Sequence, residues 1–178
     1  MGEPTRIKVD SLDAPYRAAD ELLRKTVVKD GMISIPVDVE AIAKELGLDY
    51  QRLLLDEKTD GLLVKDEPNT PFKAVVDSLA HPHRARFTLS HEIGHYIHKY
   101  QDFPDEEIAG KVERRDEMSS RGIDPEEIWA NRFAAALLMP AGIVAKLWAD
   151  GKRIEDMADM FNVSLAAMGH RIENLGLR

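Results

Sequence analysis

The 178-residue chain contains no cysteine. Disulfides and thiolate metal ligands are thereby excluded, so any metal must be held through His, Asp or Glu. Long apolar runs are missing too: nothing approaches the ~18 consecutive apolar residues a membrane helix requires. The opening Met1-Gly2-Glu3-Pro4 leads into no apolar signal core, and the expectation is a cytoplasmic protein with no membrane contact. Basic charge is scarce. With 24 Lys and Arg against 32 Asp and Glu, the formal net charge is −8, which argues against direct nucleic-acid binding, because phosphate contacts need a basic surface. Repeats and low-complexity segments are absent. What remains is the composition of an ordinary soluble domain, 44% hydrophobic and 31% charged, long enough for a sizeable core. The acidity is concentrated: from Asp102 to Glu127 there are ten acidic residues and four basic ones. The simple reading is a solvated surface helix or loop; the sharper one has this stretch border a metal site and favour a basic substrate.

Apolar spacing predicts a helix capped by Asp13, with Pro15 in its first turn, running through Ala18, Leu22, Leu23 and Val27 to Gly31. A second starts at Asp38, buries Ile42, Ala43 and Leu46, and stops at Gly47. Three short extended segments follow, 48–55, 61–64 and 72–76, at hairpin spacing. The last is either an ordinary core strand or a free edge for an extended substrate. Beyond it come a helix over about 84–100, one from Asp124-Pro125 to Leu138, one from Ala141 to Ala149, and a final pair, 154–161 and 165–175, joined at Asn162-Val163-Ser164. Trp129, Phe133, Leu137, Leu138, Trp148, Met157, Met160 and Phe161 are assigned to the core. The expected class is α+β: a small, mainly antiparallel three-stranded sheet packed with helices. Residues 1–178 form a single domain, with 152–178 a helix-turn-helix-like extension packed on it. That pair carries Arg153, Arg171 and Arg178 against Glu155, Asp156, Asp159 and Glu173, too acidic for a major-groove reader.

One stretch stands out: His91-Glu92-Ile93-Gly94-His95. On a helix, residues four apart share a face, so both imidazoles reach one metal ion, and Glu92 lies beside them to take a proton from an activated water. Gly94 costs about 1 kcal/mol relative to Ala within a helix, which points to close approach of another backbone or of substrate. Two histidines are not enough, because a catalytic zinc site takes three protein ligands and keeps a fourth position open. His98 is excluded by helix rise, lying roughly 10 Å from His91. A carboxylate from a second helix fits, and the chain offers Glu126 and Glu127. Glu127 shares a face with Asn131, whose oxygen could accept the distal N–H of a ligand histidine. Glu126 has only Ala130 at that spacing and suits the helix dipole instead, so Glu127 is the better ligand. Nitrogen and oxygen donors suit zinc first and also accommodate manganese or iron. For the oxyanion, Tyr96, Tyr100, His83, Arg84 and Arg86 are near in sequence, and nothing in the sequence chooses among them.

Two blocks carry a resemblance. Arg86-Phe-Thr-Leu-Ser-His-Glu-Ile-Gly-His95 resembles the R-F-T-x-A-H-E-x-G-H block of the ImmA/IrrE family of metallopeptidases. Glu127-Ile-Trp-Ala-Asn-Arg-Phe-Ala-Ala-Ala-Leu-Leu-Met-Pro140 resembles its E-x-x-A-N-x-F-A-x-x-L-L-M-P block. The resemblance implies a zinc endopeptidase with His91, His95 and Glu127 as ligands and Glu92 as base, and a protein partner that is a helix-turn-helix repressor or antitoxin. Trp129 stands where many members carry a further glutamate. The competing expectation is a regulatory binding protein that keeps the fold without cutting; an intact Glu92 weighs against it.

Overall fold

Both N-terminal helices form on the apolar spacing. The computed structural model describes residues 4–7, 14–102, 107, 110–116 and 124–178. Helix α1 (Pro15–Thr26) opens on proline, whose fixed φ suits the first helical position. Its N-cap is Ala14, with no side-chain cap, and Asp13, expected there, lies outside the described residues. Ala18, Ala19, Leu22 and Leu23 are buried. The helix stops at Thr26, short of Gly31, which serves a tight turn in which Lys29 and Met32 exchange backbone hydrogen bonds. In α2 (Val39–Glu45) the Asp38 carboxylate accepts the Ala41 N–H at 3.0 Å, and Ile42, Ala43 and Leu46 are buried.

Strands β1 (Asp49–Leu53), β2 (Thr59–Lys65), β3 (Lys73–Asp77) and β4 (Lys111–Asp116) form one sheet in the order β1-β3-β2-β4. β2 is antiparallel to both neighbours, while β1 runs parallel to β3. The sheet is thus mainly antiparallel but mixed, and among the described residues it has four strands where three were expected. The extra strand comes from the acidic stretch read as a solvated helix or loop. Lys111-Val-Glu-Arg-Arg-Asp116 has no apolar alternation to announce it. The rest of that stretch, with its suggested basic-substrate role, falls largely outside the described residues.

The free-edge reading of 72–76 is overturned, because β3 lies between β1 and β2 with both ladder sides used. Next-but-one strands are about 10 Å apart, a gap that connection 54–58 spans at up to ~3.3 Å per residue. The central place goes to the most apolar segment, with Ala74, Val75 and Val76 all buried.

Helix α3 (Pro82–His95) packs on β2 and β3 on one side and on α4 (Pro125–Leu138) on the other. His81 caps it, its Nδ1 accepting the His83 N–H. The helix then widens into a π turn, Tyr96–Tyr100, where the Gln101 N–H reaches back to Tyr96 O. The Gln101 side chain bonds both the N–H and the carbonyl of Ile7, tying the N-terminal segment to this end of the helix. Helix α4 opens on Pro125, with the Asp124 carboxylate accepting the Glu126 N–H. It runs antiparallel to α3, and at Gly94 the two come close: a Cβ there would lie 3.0 Å from Phe133 Cδ1 and 3.4 Å from Ala130 Cα. The neighbouring helix, not substrate, accounts for this glycine. Phe133 is fully buried and cannot step aside, so Gly94→Val is expected to cost about 1–3 kcal/mol, read as a lowered denaturation midpoint.

Helices α5 (Ala141–Ala149), α6 (Ile154–Phe161) and α7 (Leu165–Asn174) complete the chain. Asn162 turns the chain between α6 and α7 in the left-handed region, φ 52°. Met157, Phe161, Met168 and Ile172 join the main hydrophobic cluster, so the terminal pair packs on the rest. Among residues assigned to the core, Met160 is 37% exposed, and Trp129 and Trp148 sit half-buried at its edge. Met157, Ala158 and Phe161 already fill the inward face of α6. Among the described residues no single helix is long and apolar enough to cross a membrane.

Candidate metal centre

One turn of α3 separates His91 from His95, and both imidazoles are almost fully buried, at 0% and 3% exposure. The rings meet edge to face with centroids 4.5 Å apart and Nε2 atoms 2.9 Å apart. Across this face α4 presents Glu127, with Oε2 3.2 Å from His91 Nε2 and Oε1 3.2 Å from His95 Nε2. One ligand atom from each of the three residues fits within 4.8 Å. A turn further along α4, Asn131 Oδ1 lies 3.0 Å from His91 Nδ1. The amide oxygen can only accept, so Nδ1 carries the proton, which leaves Nε2 as the atom His91 would offer a cation at the centre.

Burial by itself raises the Glu127 carboxyl, but interactions with the His91 and His95 rings outweigh it and hold the group well below the usual carboxylate range. The carboxylate is therefore ionised and ready to bind a cation. Its Oε2, though 3.2 Å from His91, is buried without good hydrogen-bond geometry, and His95 Nδ1 has no hydrogen-bond partner among the described residues. The two Nε2 atoms and the Glu127 carboxylate crowd one point, and a cation there would satisfy those three, though not His95 Nδ1 on the other edge of its ring. Two nitrogens and one oxygen, with no thiolate in the chain, form the donor set of three-ligand catalytic zinc. The residues fit the metal.

Glu126 goes elsewhere. Its Oε2 lies 2.9 Å from His98 Nδ1, and the His98 ring stacks on Trp129 with centroids 4.2 Å apart. Trp129 stacks in turn on Phe133. Glu126 and His98 thus form a separate pair beside the triad.

Glu92 is buried at 1% exposure, its carboxylate against β2 at Gly61. The oxyanion candidates are scattered. Arg86 donates from Nη2 to Val37 O at 2.9 Å, which puts it against α2. His83 sits in the first turn of α3, its ring 4.8 Å from that of His81, about 12 Å from His91 by helix rise. There it lines a cavity of about 440 Å³ with Phe87, Leu138 and Val163. Arg84 forks onto Asp60, and Tyr96 and Tyr100 pack their rings on Phe72. The structure therefore brings His91, His95, Glu127 and Asn131 together and leaves Arg86 and His83 apart from them. Gly61 was not singled out from the sequence, although a glycine inside a strand is itself a sign of close approach.

Two helices gripping a triad of two buried histidines and a partly buried glutamate, beside a fully buried glutamate on the first helix, define a metallopeptidase-type centre. Residues 41–173 match the model of the IrrE N-terminal-like domain, peptidase family M78, and the chain belongs to this family. Membership supports a metallopeptidase-type function. No curated protein matches the chain.

Proposed function

We propose that the protein is a cytoplasmic zinc-dependent endopeptidase, with the metal on His91, His95 and Glu127 and with Glu92 as general base and acid. The observation that carries this reading is the convergence of both Nε2 atoms and the Glu127 carboxylate on one point within 4.8 Å. Zinc bound there supplies Lewis acidity, polarising a carbonyl and bringing the pKa of water towards ~7; manganese or iron suit the same donors. The remaining work falls to the chain. Asn131 fixes the tautomer and orientation of His91, and Glu127 offsets the positive charge. Glu92 accepts the proton of the attacking water and returns it to the leaving amine. The resemblance of the two motif blocks to the ImmA/IrrE family supports a protein substrate, specifically a helix-turn-helix repressor or antitoxin in a regulatory switch.

The test pairs metal analysis with hydrolysis. Purified protein is expected to carry one equivalent of divalent metal and to cut a repressor-derived polypeptide, with activity lost to a chelator and restored by zinc. A folded, metal-loaded protein that binds such a repressor without cutting it would establish the non-proteolytic alternative. Asn131→Ala is expected to weaken metal affinity by about 10–100-fold with the fold intact, as measured by competition with a chromophoric chelator.

A further inference from the structure

The geometry points to Gly61 as a positioning residue for Glu92, set against it by an Asp60–Arg84 clamp. The inference rests on Glu92 having the role proposed above. Gly61 lies inside β2, and its backbone is not in the left-handed region, so conformation does not call for glycine. A glycine there weakens the strand, since it has no side chain to pack. Space is what it provides. A Cβ on Gly61 would overlap Thr88 Cγ2 and stand 3.0 Å from Glu92 Oε1 and 3.2 Å from the Val75 carbonyl oxygen. The catalytic helix and the strand are therefore in contact through the glycine itself.

The contact has a periodic origin. Arg84, Thr88 and Glu92 succeed one another at four-residue spacing and form a row on α3 that faces β2. At one end of the row Arg84 forks onto Asp60, Nε to Oδ1 at 2.8 Å and Nη2 to Oδ2 at 2.6 Å. Asp60 is the extra residue of a bulge: Thr59 pairs with Asp116 and Gly61 with Arg115, so no residue of β4 faces it. Bulges of this kind re-aim a side chain beside a site, and the planar fork makes the join directional. The clamp fixes where β2 lies along the row. Gly61 then leaves a surface of bare backbone against which the Glu92 carboxylate rests, almost fully buried and with little freedom to turn.

An added methyl meets three neighbours of different kinds. Overlap with Thr88 Cγ2 and the close approach to the Val75 carbonyl are packing problems, whereas crowding of Glu92 Oε1 displaces the proposed base. Thr88→Ser removes Cγ2 and keeps the hydroxyl, so in the double variant Gly61→Ala/Thr88→Ser the worst overlap is gone and the crowding that remains falls on Glu92 Oε1 and the Val75 carbonyl. Against Thr88→Ser alone, it is expected to stay folded, with a small fall in denaturation midpoint from the Val75 contact, and to keep one equivalent of metal. Its crystal structure should show the Glu92 carboxylate displaced, and kcat should fall about 10–100-fold with KM little changed. A Glu92 carboxylate left in place, or a displaced one with unchanged kcat, would overturn the inference. Should the double variant fail to fold, Arg84→Lys tests the clamp on an exposed side chain. It keeps the charge and loses the fork, so a several-fold fall in kcat at constant KM is expected, and an unchanged kcat would sink the idea. A wild type that hydrolyses no peptide defeats the peptidase reading alone, because the position of Glu92 in the variant crystals still decides whether Gly61 places it.

Discussion

Glu92→Gln is expected to leave the protein folded and loaded with metal while lowering peptide turnover about 10²–10⁴-fold. Glutamine matches glutamate in shape, so the buried contact with Gly61 survives the exchange. Glu92 is not part of the His91-His95-Glu127 cluster, so the metal donors are untouched. What disappears is the ability to accept a proton from water and to hand it to a departing amine. Substrate still binds, so the loss belongs in kcat and not in KM. Single-turnover cleavage, with metal content matched between wild type and variant, makes the measurement. Equal rates would remove Glu92 from the reaction. Loss of metal would make it a structural partner of the site instead of its base.

Much of this centre could be read in advance because helical periodicity encodes it. His91 and His95 share a face by spacing alone, and so do Glu127 and Asn131. The structure sets these two faces against each other, with Glu127 between the imidazoles and Asn131 behind one of them. The same periodicity, applied more strictly, would have set Arg86 aside. It stands five residues before His91, about 140° round the helix, and the structure finds it bonded to Val37. Nearness in sequence was a poor guide to a site formed by one face of a helix.

The sheet was harder, for two physical reasons. A short connection such as 54–58 serves a hairpin or a one-strand hop equally well, and which one forms depends on which segment most needs burial on both sides. That segment is β3, which separates β1 from β2. Strand β4 carries Lys, Glu, Arg and Asp at nearly every position, so its pairing comes from backbone hydrogen bonds to β2 and leaves little trace in an apolar pattern. Gly61 falls between these cases. Its place in a strand was visible, but its reason, contact with Glu92 some thirty residues later, exists only once α3 lies on β2.

The sharpest division expected within the site is between two adjacent carboxylates. Glu127→Ala should lower metal affinity on the order of 10²–10³-fold, taking structural zinc's roughly 10–16 kcal/mol as shared among four ligands. Hydrolysis should fall with it, since two buried imidazoles alone cannot offset the charge of a divalent ion. Glu126→Ala removes a partly exposed partner of His98 and should cost under about 1 kcal/mol of stability, with metal affinity and turnover close to wild type. Thermal denaturation with and without zinc displays the contrast directly. A ligand at about 1,000 times its Kd stabilises the native state by about 4.1 kcal/mol, so wild type and Glu126→Ala should both show a clear rise in midpoint and Glu127→Ala a much smaller one. An equal rise in all three would mean that the cation is held without α4, and that the 3.2 Å approaches of Glu127 to His91 and His95 are an ordinary buried ion pair.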